Sequence, residues 1–132
     1  MNIDWDKWEA IEATQNRLNY AVSSAQERLA DADMAIRAAE TSLSFALSSN
    51  GVFRKLDLSA WMRDFNANPE GYLRQYADHG IIGVLRQHVE ARTKRQRAAD
   101  ALEKATQARN QHSASYFQLR DWVTTQQQRG II

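Results

Sequence analysis

From Trp8 onward, Ile11, Gln15, Leu18, Val22, Ala25, Leu29, Ala32, Ile36, Ala39, Leu43 and Ala46 follow one another at alternating steps of three and four. Such spacing keeps one stripe of a helix facing a partner helix, so it predicts a coiled-coil-like helix over about 4–49. Asp4 suits its N-cap, because a carboxylate accepts the amide hydrogens left over in a first turn. Ser48-Ser49-Asn50-Gly51 ends the pattern, with Asn50 or Gly51 fit for a left-handed C-cap. At 1.5 Å per residue the helix would run about 65–70 Å. From Leu18 on, one seam position is mostly Ala (Ala25, Ala32, Ala39, Ala46) and the other is large and aliphatic (Val22, Leu29, Ile36, Leu43). Small residues let backbones approach and large ones fill the space beside them, which suits a tight antiparallel pair. Gln15 interrupts the seam and, as a lone polar residue there, is expected to set register.

The pattern changes after residue 50. Asp57 can cap a short helix over about 57–66, bearing Leu58, Trp61, Met62 and Phe65. Asn68 followed by Pro69, the single proline, starts another over about 69–79 with Tyr72, Leu73 and Tyr76, closed by His79-Gly80. Helices this short need tertiary support, so their aromatic faces must pack on something. A last helix is expected over about 81–127, with Gly83 a weak point in its first turn. Its apolar stripe is less regular: Val84, Leu85, Val89, Ala91, Ala98, Leu102, Ala105, Ala108, Tyr116, Leu119, Trp122 and Val123. Folded back on the first helix, it would set Leu102 near Leu29, Ala105 near Ala25 and Val123 near Trp8. Arg95 and Arg109 would then run their stems along the groove near Ile36 and Val22. The expected class is all-α: two long helices in an antiparallel hairpin, with two short helices at the connecting end.

At 132 residues the chain fits one domain, and its apolar share leans on alanine, so the core should be thin. The net charge of +1 implies no polyanionic partner in bulk. Residues 1–50 carry eight acids against four bases, however, and 51–132 carry thirteen bases against eight acids. That opposition favours pairing the two long helices with each other. With no cysteine, disulfides, thiolate metal sites and a cysteine nucleophile are excluded. The N-terminus lacks the basic and apolar regions of a secretory signal, and no stretch approaches the roughly 18 consecutive apolar residues needed to span a bilayer. A cytoplasmic location is the resulting expectation, with no membrane partner.

Of the twelve aromatic residues, all but Tyr20 fall towards the expected hairpin's ends. Trp5, Trp8, Tyr116, Phe117 and Trp122 gather where the termini meet. Phe45, Phe53, Trp61, Phe65, Tyr72 and Tyr76 gather at the other end. Most should be local core. Trp, Tyr and Arg are also the residues most enriched at binding hot spots, so Phe53, Trp61, Arg63, Phe65, Tyr72, Arg74 and Tyr76 form the expected protein-binding patch.

Other chemistries fare worse. Helical di-iron sites need Glu-x-x-His pairs, but Tyr76, Leu85 and Arg109 stand three before His79, His88 and His112. His88 and His112 read instead as partly buried flank residues of the seam, and His79 as part of a helix terminus. The five glycines occur singly, so there is no phosphate-cradling loop, and no nucleophile elbow frames a serine. The expectation is no enzyme, no cofactor and no metal. Arg92, Lys94, Arg95 and Arg97, extended by Lys104 and Arg109, form a polyanion-binding candidate. On a helix these cations point several ways, which fits a solvated face complementing Glu27, Asp31, Asp33 and Glu40 better than a groove-tracking stripe.

In shape alone, such a helical hairpin resembles the coiled-coil stalk proteins of bacterial flagellar and type III export machines. It also resembles small secreted helical-hairpin proteins, although the Trp-x-Gly turn of that group is absent, and small helical inhibitors encoded by phages. These resemblances imply architecture and no site. The leading expectation is therefore a non-enzymatic protein–protein interaction module, acting as an adaptor, stalk component or inhibitor within a larger complex. The alternatives are a nucleic-acid-binding accessory protein using residues 92–109, and a coiled-coil component that self-assembles, in the simplest case as a homodimer.

Overall fold

The computed structural model describes residues 4–49 and 57–130. Phe53 of the expected patch and the expected C-cap at Asn50 or Gly51 lie outside the described residues. Four helices follow in order: α1 Trp5–Ser49, α2 Leu58–Ala67, α3 Pro69–Gln75 and α4 Ile82–Gln128. No strand occurs among the described residues, and α1 and α4 pack against each other as a helical hairpin with the short helices between them in the chain. Contacts gather in two compact units, to both of which α1 and α4 contribute. The terminal unit comprises Met1–Leu29 and Ala98–Ile132, and the central unit comprises Ala30–Arg97.

Asp4 opens α1 by accepting the Lys7 amide at 3.2 Å. Every residue of the predicted α1 seam is buried or half-buried, and Leu47, one turn past Leu43, joins it fully buried. The α4 seam differs from its prediction. The expected seam-flank residues His88 and His112 and the expected groove residue Arg109 are shielded, but Arg92, Thr106 and Ser113 join them, whereas Ala108, Leu119 and Trp122 of the predicted stripe are exposed. The helix turns a mixed apolar and polar face to α1, and of its polar residues His112 and Ser113 are matched across the seam by Gln15, so their burial costs little.

Three cross-helix pairs show the antiparallel arrangement. In the terminal unit Gln15 meets Ser113. In the central unit Asp33 pairs with Arg95 and Glu40 faces His88. One heptad forward on α1, from Asp33 to Glu40, is one heptad back on α4, from Arg95 to His88, as an antiparallel seam requires. Val123 shares a buried cluster with Trp8, as the sequence predicted.

The short helices are defined by their caps. Asp57 accepts the Ser59 and Ala60 amides at 3.0 and 3.3 Å. Asn68 serves two helices: its amide donates to the Asp64 carbonyl to end α2, and its side chain accepts the Gly71 amide at 3.1 Å to begin α3. The predicted continuation of α3 to residue 79 does not occur; Tyr76 is its C-cap. His79 belongs instead to the start of α4, its Nδ1 accepting the Ile81 amide and its carbonyl the Ile82 amide, both at 3.1 Å. A Cβ on Gly71 would stand 2.4 Å from Asn68 Nδ2, so only glycine leaves room for this cap. Gly71→Ala is expected to displace Asn68 and cost about 1 kcal/mol. Urea denaturation checks this, and a raised midpoint would mean that the helix propensity gained with alanine outweighs the cap.

Candidate functional site

The central unit has its core where α1, α2 and the start of α4 meet: Leu43, Leu47, Trp61, Phe65, Ile81 and Leu85. Asp57 and Asn68 fix α2 and α3 so that their aromatic faces turn onto this core. Trp61 stacks on Phe65 with ring centres 5.6 Å apart, and Tyr72 meets both edge-on at 5.1 and 5.8 Å. Tyr76 continues the column beside Tyr72 at 6.1 Å. The short helices thus bury the surface they could not bury alone.

This placement divides the expected protein-binding patch between core and surface. Trp61 and Phe65 are core residues whose faces are already covered, so they present no ring to a partner in this conformation. Tyr72 and Tyr76 are half-buried, and Arg63 and Arg74 are exposed. Burial, the nearby Asp64 carboxylate and Tyr76 together hold the Tyr72 phenol above its ordinary pKa. It stays neutral and serves as a packing group.

Phe45 of the central unit faces outward singly, 74% exposed, and several large apolar side chains of the terminal unit are also exposed. There Trp8 and Tyr116 stack nearly parallel, 5.7 Å apart, and with Val123 form the buried cluster. Around it Trp5, Phe117, Leu119 and Trp122 keep 42, 46, 42 and 41% of their surface exposed. Leu119 and Trp122 are three residues apart on α4 and so share a flank of that helix. Phe117 sits at the edge of Tyr116 and carries the Arg120 guanidinium over its ring at 5.1 Å. A shallow groove in the same unit is lined by Trp5, Trp8, Glu9, Glu12, Arg120, Val123, Thr124 and Gln127. The sequence already grouped Trp5, Phe117 and Trp122 at this end. What it missed was the burial pattern, because Leu119 and Trp122 follow the apolar spacing of a seam.

The same unit holds the most organised polar cluster. Gln15 is buried; its Nε2 donates to Ser113 Oγ at 2.8 Å and to Asn19 Oδ1 at 3.3 Å. Its Oε1 lies 2.6 Å from His112 Nδ1, which therefore carries the proton. His112 in turn stacks on Tyr116. Both ends of the amide are matched, so this is a satisfied polar layer in the seam, not a reactive group.

The polyanion candidates divide similarly. Arg92 is half-buried and donates to Asn66 Oδ1 and to its carbonyl at 3.2 and 3.3 Å, tying α4 to α2. Lys94 pairs with Glu90 on its own helix at 3.6 Å, and Arg95 pairs with Asp33 across the seam. Arg97 and Lys104 are exposed, and half-buried Arg109 donates to Asn110. Arg92 and Arg95 also line an open groove with Ile36, Pro69, Val89, Thr93 and Gln96. Among the described residues no group of three His, Asp or Glu side chains converges as a metal site would require. No described helix is long and apolar enough to cross a membrane.

Fold and site together define an all-α helical hairpin with one buried aromatic cluster per unit and an exposed apolar rim on the terminal one. Comparison of this chain with protein-family profiles, curated proteins and solved structures found no match.

Proposed function

We propose that the chain is a non-enzymatic protein–protein interaction module whose contact surface is the exposed rim of the terminal unit: Trp5, Phe117, Leu119 and Trp122. The observation that carries this reading is that these four large apolar side chains remain two-fifths or more exposed beside a core that is already closed. Exposed large apolar groups favour a partner that covers them, and Trp is the residue most typical of a binding anchor. The role is that of an adaptor, stalk component or inhibitor of a larger assembly.

The nucleic-acid reading has less support, since Arg92, Lys94 and Arg95 already have partners within the chain. Self-assembly through the heptad seam would have to displace α4, against which α1 packs. Capture from a native extract on immobilised protein, read by mass spectrometry, tests the leading reading against a Leu119→Ser/Trp122→Ala variant. The expected result is a discrete partner protein whose affinity falls about 30-fold in the variant, the effect of losing a 2 kcal/mol anchor. Unchanged circular dichroism should show that the helices survive. Undiminished capture by the variant removes this surface, and capture of nucleic acid alone restores the basic segment.

A further inference from the structure

His88 stands in the core of the central unit, with only 1% of its surface exposed. Neither ring nitrogen has a hydrogen-bond partner among the described residues. Its ring leans on Phe65 of α2 at 5.6 Å, and Phe65 is itself fully buried. On α1 the nearest carboxylate is Glu40, whose Oε1 is 3.9 Å from His88 Nε2, too long for a hydrogen bond but within Coulombic reach. On α4 the charge acting on the ring is Arg92, one turn further on and held by Asn66 of α2. The neutral imidazole therefore serves as a flat apolar wedge beneath α2.

A proton would change that. An imidazolium carries two donors and a charge into a closed space against the Phe65 ring, where neither donor finds an acceptor among the described residues. Glu40 offsets part of the cost and Arg92 adds to it. The charged ring is relieved only by reaching water, and leaving its place removes the support under Phe65. The short helices α2 and α3 have no stability apart from this packing.

We propose that His88 is a pH-sensitive latch: neutral, it holds α2 and α3 on the central unit's core, and protonated, it releases them. The sign follows from linkage. Burial lowers the His88 pKa below its ordinary value of 6.5, so the released state binds the proton more readily than the closed one. The latch is fully closed above about pH 6.5 and weakens as pH falls from there through the lowered value. The product of release is an exposed aromatic face made of Trp61, Phe65 and Tyr72.

Amide hydrogen exchange of residues 58–76, corrected for intrinsic rates and compared at about pH 7.5 and about pH 5, tests the latch. Protection in the wild-type protein should fall on acidification, by an amount set by how much burial weakens the imidazole's hold on the proton. His88→Leu, which cannot titrate, should keep its protection at both pH values. Glu40→Gln should enlarge the acid loss, because it removes the one charge that favours the imidazolium. The latch is overturned if wild-type protection does not change, or if His88→Leu loses it equally. Should His88→Leu fail to fold, Glu40→Gln decides: an acid loss no greater than wild type also overturns it.

Discussion

Phe65→Ala is expected to cost the central unit about 3–5 kcal/mol, the range for emptying a fully buried aromatic position. Phe65 is 0% exposed and touches Trp61, Tyr72 and His88 through its ring, so truncation leaves a cavity with aromatic walls on three sides. Those walls belong to α2, α3 and α4, and the two short helices cannot follow the collapse without giving up the caps at Asp57 and Asn68. Chemical denaturation followed by Trp fluorescence and circular dichroism measures the loss. The expected signature is an early fluorescence transition, as Trp61 becomes exposed, ahead of the main helical one. A loss below about 1 kcal/mol would mean that the site closes over the gap and that Phe65 is not the keystone of this core.

The second large effect lies in the terminal unit. Gln15→Ala is expected to destabilise by about 2–3 kcal/mol, through a seam cavity and unpaired polar groups on α4. The amide binds Ser113 and His112 at once, so its removal strands a hydroxyl and an imidazole N–H in a half-buried layer. Gln15→Leu fills the volume but leaves the same two groups unmatched, and should recover only part of the loss. A double-mutant cycle with Ser113→Ala separates the hydrogen bond from the packing. Strict additivity of the two substitutions would show that the contact at 2.8 Å carries no coupling.

These two sites differ in how visible they are beforehand. Gln15 stands out in the α1 heptad because every other seam residue is apolar, and a polar residue so placed needs partners. Its partners were hidden: Ser113 and His112 lie on a helix whose stripe looks irregular when judged by hydrophobicity alone. The same hydrophobic criterion that found α1 misplaced Leu119 and Trp122 in the seam and left out His88 and Arg92. Trp61 and Phe65 show the opposite difficulty. Aromatic residues on short helices serve equally as core or as contact surface, and only the surface offered by Leu43, Leu47 and Leu85 decides between them.

The heptad alternation of Ala with Leu, Val and Ile determined α1, and Asp57, Asn68 and Pro69 determined where α2 and α3 begin. These signals are local: a repeat that keeps one stripe facing one way, and side chains that satisfy their own backbone within three residues. The tertiary structure alone decided which face of α4 meets α1 and which aromatic residues stay outside. Each of those outcomes depends on a partner distant in the chain, whether Gln15 for His112, Phe65 for His88 or Trp8 for Tyr116. Burial of a polar or aromatic side chain is a property of the pair, and a pair is not written at either of its positions.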